Sequence, residues 1–422
     1  MARLAPAVVR LQAGQAVSAL GDAVLTTSAV VWVVRDVAAG QPWAAAAVSG
    51  IPAAVYASVA VAGPLAGVAA DRFDRRAVMA AAELSRAGLA GALAGLTLVP
   101  AGRLPAAAWL AALYAAVFLL TGAGQFTAPA KMAVIATLEP GDAGRARAAG
   151  LAEAATAAAV TIGPLIAVPL TLAAGIRAAL AVDAATFIVS WLAVRSLPAT
   201  RPARGRGGAV AGFRAGLRCF AASSPLTALL TVTVTCQLGA GAITALNVIA
   251  VSTDLHGTAR DYAVAEALAG AGCIAGALAA GRLVRHIGAR AVTCTGLFAA
   301  AGLTAAYALA RNVPEGLALL AVYGASIGLL NASVAPLLMG SVPGEYLGRA
   351  MAIFQPLNQA AGAVSVLASG WLAGTWLRGF HAAGIGPVSL LMLAGAVLIT
   401  AAGLRAVAAL PAAPGLREAG TA

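Results

Sequence analysis

Charge is scarce in this chain. Only 10% of its 422 residues are Asp, Glu, Lys or Arg, where a soluble domain carries about 25%. The mean hydropathy is +0.91. No water-soluble protein of this length could cover so much apolar surface, so the bilayer is its solvent. Cysteine is nearly absent as well. Cys219, Cys236, Cys273 and Cys294 are scattered without a CxxC pair, which argues against a disulfide framework and a zinc site. The three histidines, His256, His286 and His381, fall near predicted helix ends or loops. No cluster of His, Cys, Ser or acidic residues stands at membrane depth, which argues against an enzyme. No cofactor or metal is expected. The lack of a GxxxxGK[ST] loop removes ATP as the direct energy source. Lysine occurs once against 26 arginines, and with the heavy use of alanine this points to a GC-rich bacterial genome.

Long apolar runs fill the space that charge leaves. A spanning helix needs about 20 mostly apolar residues, and twelve such helices are predicted. They cover roughly 11–34, 43–70, 77–100, 106–129, 148–174, 178–197, 225–250, 261–281, 291–310, 315–338, 350–376 and 386–407. The first run, Leu11 to Val34, exceeds a signal-peptide core of about 7–15 residues and reads as a retained helix. The net charge of +12 sits in short turns between runs. Without a basic domain carrying interleaved aromatics, this excludes nucleic acid as a partner. With the N-terminus inside, 20 Arg/Lys fall in inner segments, 6 in outer ones, and Arg86 inside helix 3. That asymmetry puts both termini in the cytoplasm.

Two turns repeat. GVAADRFDRRAV (Gly67–Val78) overlays GRLVRHIGARAV (Gly281–Val292) without a gap, 214 positions on. PGDAGRA (Pro140–Ala146) returns as PGEYLGRA (Pro343–Ala350). Both copies of each lie on the same side, so the halves are parallel repeats about an axis along the membrane normal. The expected architecture is an all-α integral membrane protein with twelve transmembrane helices. It divides into a six-helix half at 1–197, an Arg-rich cytoplasmic linker at 198–222 and a second six-helix half at 223–422.

The first of these turns resembles the signature of the major facilitator superfamily, G-x-L-A-D-R-x-G-R-R/K. Gly67, Asp71, Arg72, Arg75 and Arg76 match it, whereas Asp74 replaces a glycine and Ala69 a leucine. SALGDAV (Ser18–Val24), FTAPA (Phe126–Ala130), GFRAGLRCF (Gly212–Phe220) and EYLGRAMAIFQ (Glu345–Gln355) look like the enterobactin-exporter-like and macrolide-efflux-like subgroup. Two departures stand out. TGAGQFTAP (Thr121–Pro129) lacks the superfamily's helix 4 arginine, and only Gly163-Pro164 survives of the helix 5 antiporter motif. The resemblance implies alternating access of two halves, with helices 1, 4, 7 and 10 lining the pathway. On those helices Asp22, Gln15, Gln125, Gln237, Asn247 and Asn331 supply polar groups for proton and substrate.

Asp22 is the sharpest candidate. A carboxylate at the bilayer midplane costs about 2.5–3.5 kcal/mol on insertion scales and normally faces a cavity or bundle interior. It reads as a proton-binding group, the alternative being a structural tie to a neighbouring helix. The resemblance places Asp71 beside the start of helix 11, where a helix N-terminus favours a carboxylate by about 0.3–1 kcal/mol. Gly67, Asp71, Arg72, Arg75 and Arg76 thus read as a conformational latch, or else as topology charges alone. Glu83 and Arg86, three apart on helix 3, read as a structural ion pair. Glu153 and Glu266 are expected near membrane ends in contact with solvent, and Asp183 as a first-turn charge of helix 6. Gly163-Pro164 reads as a packing kink. The function expected is a monomeric secondary exporter of amphipathic small molecules such as drugs, siderophores or natural products, in contact with membrane lipids and coupled to protons. The alternatives are an uptake transporter of a small organic solute, and a receptor or scramblase on the same scaffold.

Overall fold

The computed structural model describes residues 4–99, 103–139, 142–198, 223–341, 344–377 and 385–410. The side chains at 67–68, 70–71 and 344–352, with a few others inside helices, lie outside that description. The elements are α1 (Pro6–Trp32), α2 (Ala44–Arg72), α3 (Arg75–Leu96), α4 (Ala106–Gln125), α5 (Thr127–Leu138), α6 (Asp142–Arg195), α7 (Ser224–Ile249), α8 (Ala259–Ile287), α9 (Ala289–Leu309), α10 (Val313–Ser341), α11 (Gly344–Gly374) and α12 (Pro387–Ala409). Pro6 and Ala409 mark the near end of the bundle, and the opposite face is the far end.

Helix starts follow from local chemistry. Asp74, the residue that replaces the signature glycine, caps α3 by accepting from the Ala77 amide at 2.9 Å. Ser223 caps α7, and Thr258 with Asp261 closes a capping box on α8. Pro387 opens α12, where its missing N–H leaves nothing unpaired. The helix expected to end near 129 instead bends at Phe126 and continues as α5 to Leu138. The apolar pattern breaks there, but the backbone ladder resumes.

α6 is two antiparallel arms. Its first arm meets α1 where Gly163 would place a Cβ 2.5 Å from the Ala23 Cβ. Its second arm meets α1 where Gly21 faces Thr186 and Asp183. Positions 163 and 186 on one straight helix would stand about 34 Å apart, yet both touch the same turn of α1. The chain doubles back at Gly175, whose φ of 73° is a conformation that glycine adopts without strain. With α4 and α5 as one bent rod, the described residues make twelve passes. Ten helical stretches are long and apolar enough to cross a membrane among the described residues, the 46-residue stretch Gly150–Arg195 holding two of those passes. Leu192, Leu278, Val397 and Leu404 are exposed on the outer surface, as a lipid-facing surface requires.

Close backbone approach holds the helices together, since lipid gives no hydrophobic drive for their association. Gly272 and Gly276 of α8 lie against the Ala321 and Ala325 carbonyls of α10, so a Cβ at either position would overlap an oxygen atom. Between the halves, α2 packs on α11 and the first arm of α6 on α8. Ser49 and Ala45 touch Gly370 towards the far end, Tyr56 packs on Gly362, and Thr161 meets Gly270.

Candidate functional site

α1 presents Gln15, Ser18 and Asp22 on one stripe, facing Glu83 and Arg86 of α3 and Asp183, Phe187 and Ser190 of the second arm of α6. Gly21 permits this approach, because a Cβ there would lie 2.6 Å from Asp183 Oδ1. Arg86 Nη2 donates to both carboxylate oxygens of Asp22, and Nη1 donates to Ser18 Oγ at 3.3 Å. Its guanidinium lies 4.0 Å above the Phe187 ring, a favourable arrangement for a desolvated cation. Glu83 is 3.8 Å from Arg86, an ion pair too long for a hydrogen bond. Glu83 instead accepts from Gln15 Nε2 at 2.9 Å and Ser18 Oγ at 3.4 Å, and Gln15 also donates to Ser190 Oγ at 2.8 Å. Arg86 therefore belongs more to Asp22, 64 positions away, than to Glu83 one turn away on its own helix.

The cluster has a wet side and a dry side. The Asp22 side chain is 43% exposed, against 7% for Arg86. Thr26, one turn beyond Asp22, donates to the Asp22 carbonyl at 2.8 Å and lines a hollow of about 260 Å³ between α1, α2, α7, α8 and α10. Asp22 thus stands on the face of α1 that looks towards the seam between the halves. On the dry side, Arg86 covers Gly124 of α4, its Cζ 3.4 Å from a Cβ built there. Helix 3 thus brings a guanidinium to the surface of helix 4 within Thr121–Pro129, the stretch that lacks the superfamily's arginine.

The same hollow takes Asn247, Tyr262 and Glu266 from the second half. Asn247 Nδ2 donates to Glu266 Oε1 at 2.6 Å, and the Tyr307 hydroxyl donates to Asn247 Oδ1 at 2.6 Å. Glu266, expected near a membrane end and solvated, stands two turns into α8 on the wall between the halves. Asp183, expected as a first-turn charge, lies two turns beyond the Gly175 bend and is 0% exposed. The sequence shows where a helix can span, but not which neighbour each face meets.

A second hollow of about 360 Å³ lies nearer the termini, between α7, α9, α10 and α11. Gln237 and Asn331 line it, joined by Gln355, Asn358 and Gln359. These three amides sit within five residues on α11, and that density of carboxamides in an apolar run is the sequence signal that marks them. Gln125 ends α4 and lines none of the hollows described here. A larger hollow of about 650 Å³, around Trp32, Trp109 and Arg177, opens away from the seam.

At the near end, Arg76 Nη2 donates to the Arg195 carbonyl at 2.7 Å and Arg75 Nη1 reaches the Ala133 carbonyl at 3.5 Å. Both arginines tie helix ends together within the first half, while Arg72 is exposed. The side chains of Gly67 and Asp71, and residues 199–222 of the linker, lie outside the described residues. Gly163 seats the first arm of α6 on Ala23 of α1, and Pro164 follows inside the helix.

The family model described as Major Facilitator Superfamily matches residues 13–365. A search of the curated proteins finds no match. Among solved structures, the D-xylose-proton symporter superposes with a TM-score of 0.74 at 15% identity, covering 96% of this chain and 98% of that one. The nucleoside transporter NupG gives 0.71 at 14%, covering 97% and 100%. A bacterial homolog of the human lysosomal transporter Spinster, inward-facing and unoccupied, gives 0.72 at 13%, covering 97% and 98%. At such identities the likeness is one of fold.

Proposed function

The chain belongs to the major facilitator superfamily, and from that premise we propose that this membrane transporter exports amphipathic, cationic small molecules in exchange for protons. The observation that carries the reading is the half-exposed Asp22 carboxylate, turned towards the seam with Arg86 buried behind it. Glu266 lines, from the other half, the hollow that Thr26 lines one turn beyond Asp22. One carboxylate on a mainly apolar wall and a second one turn from it suit a cation with a bulky apolar body. The amide-lined hollow nearer the termini accommodates neutral polar groups of the same molecule. The finer likeness to enterobactin-exporter-like and macrolide-efflux-like transporters supports export, as drugs, siderophores and natural products are amphipathic.

In this reading the protein works as a monomer in a bacterial inner membrane, with both termini cytoplasmic and lipid around it. Its two halves, 1–197 and 223–422, rock about the seam, and Asp71 latches one of the two states. The test is accumulation of tetraphenylphosphonium in inverted vesicles. Export predicts uphill accumulation that a protonophore collapses. Accumulation only in right-side-out vesicles would favour the uptake reading, which the symporter among the solved structures keeps in view.

A further inference from the structure

Four ionisable groups share the contact between α1, α3 and the second arm of α6: Asp22, Glu83, Asp183 and Arg86. Three of them have hydrogen-bond partners. Asp22 accepts two hydrogen bonds from Arg86. Glu83 accepts from Gln15 and Ser18. Arg86 has Asp22, Ser18 and the Phe187 ring. Asp183 has nothing. It is 0% exposed, and neither carboxyl oxygen has a hydrogen-bond partner. Thr186, its neighbour on the same helix, gives its hydroxyl to the Asp183 backbone carbonyl at 2.7 Å and not to the carboxyl group. An ionised carboxylate left unpaired in an apolar interior is among the costliest arrangements a protein can hold, and a neutral carboxylic acid avoids that cost.

Position sharpens the point. Asp183 lies against Gly21, the residue before Asp22. Phe187, one turn along from it, carries the Arg86 guanidinium on its ring. Arg86 also keeps a spare donor, since its Nε is buried without a partner. One guanidinium thus stands between a carboxyl group on the seam side and a carboxyl group on the dry side.

We propose that Asp183 carries the exchangeable proton of this transporter, and that Arg86 passes from Asp22 to Asp183 when a cationic substrate takes its place on Asp22. The proposal rests on the proton-coupled reading above and assigns it to a residue other than Asp22. In the described arrangement Asp22 is paired with Arg86 and Asp183 is protonated. An organic cation pairing with Asp22 frees the guanidinium, which turns to Asp183. The Asp183 O–H bond breaks, and the proton leaves to water past the half-exposed Asp22 edge. One positive charge enters and one leaves, so the net charge of the cluster is unchanged. Glu83 keeps its two donors throughout. Of the charged groups on the neighbouring elements, Lys131 lies on α5 towards the near end, and Glu266 of α8 lines the hollow at the seam.

The test has two arms. The first needs no substrate. An infrared difference spectrum, parent minus Asp183→Asn, is recorded on purified protein at neutral pH. A protonated-carboxyl C=O band in that difference supports the assignment, and ionised carboxylate bands alone overturn it. In the second arm, tetraphenylphosphonium is added to the same proteins in unbuffered solution with a pH-indicating dye. The parent releases about one proton per bound cation, Asp183→Asn binds the cation and releases none, and Asp22→Asn does not bind it. Equal release from parent and Asp183→Asn overturns the exchange. If the infrared band is present but the parent neither binds nor transports the cation, the proton site stands and the cation-export reading falls. Asp183→Glu keeps a carboxyl group and is expected to retain proton release, and Asp183→Ser, which has none, takes the place of Asp183→Asn in both arms should the latter fail to accumulate.

Discussion

Arg76 and Arg290, 214 positions apart in the repeat, make the same bond in the two halves. Arg76 donates to the carbonyl of Arg195 in the last turn of α6, and Arg290 to the carbonyl of Val407 in the last turn of α12. Each thereby fastens the third pass of its half to the sixth. A guanidinium at a helix C-terminus answers both the orphan carbonyls and the negative end of the dipole. Both sites are exposed, so each bond is worth about 1 kcal/mol at most. Arg76→Gln and Arg290→Gln should each lower the thermal midpoint slightly, and the two losses should add in the double variant. A loss confined to one of them would mean that the two bonds are not equivalent.

Arg86→Leu should be far more harmful, by about 3–5 kcal/mol, because it strips the cation from buried Glu83 and from Asp22. Adding Glu83→Gln should recover a large part of that loss, since the amide oxygen still accepts from Gln15 and the amide NH2 can donate to the Ser18 hydroxyl, without the charge. Thermal unfolding of the purified variants reads both effects. A double variant no more stable than Arg86→Leu alone would show that the guanidinium acts through packing on Phe187 rather than through charge.

Asn247→Leu should cost about 1–3 kcal/mol, because Glu266 loses its donor and the Tyr307 hydroxyl its acceptor. Glu266→Gln should be close to neutral for stability while weakening binding of an organic cation. Stability and binding measured on the same preparations separate the two roles.

The α8–α10 contact within the second half allows a paired control. Gly276→Ala would drive a methyl group into the Ala325 carbonyl and should prevent accumulation of folded protein, or destabilise it by about 1–3 kcal/mol or more. Gly281→Ala, with nothing within 4 Å of the new methyl, should be neutral or stabilising by up to about 1 kcal/mol through helix propensity. Yields of monodisperse protein on gel filtration should rank the two in that order.

The latch assigned to Asp71 predicts a shift between states. In an Asp71→Asn background, a cysteine at Thr233, on the wall of the near hollow, should label faster. A cysteine at Ser49, packed on Gly370 towards the far end, should label more slowly. Equal rates in variant and parent would count against the latch.

Much of this was legible in the sequence, and the boundary is instructive. Run length and turn residues gave the twelve passes and the reversal at 175–178, because spanning is a property of one segment against lipid. The 214-residue repeat located two arginines that then made equivalent bonds. The partnership of Arg86 with Asp22 was not legible, because the i, i+3 spacing offers Glu83 and nothing in the sequence reports a partner on another pass. Asp183 was read by its distance from a helix start, whereas its character comes from two helices that Gly21 allows to close on it. The sequence places Glu266 near a helix end, and position along a helix says little about which face meets a cavity.

Where the polar bonds lie has a mechanical consequence. The Arg86–Asp22 ion pair and the Arg76 and Arg290 bonds join helices of the same half, and the Arg86–Glu83 pair lies within α3. The seam contacts named above are those of Ser49, Tyr56 and Thr161 against glycines 370, 362 and 270. Each half is cross-braced like a truss, while smooth bearings of small side chains lie between the two. Such a machine can tilt by sliding, with little bond-breaking to set a temperature-dependent threshold. A single charged pair engineered across α2 and α11 should act as a brake.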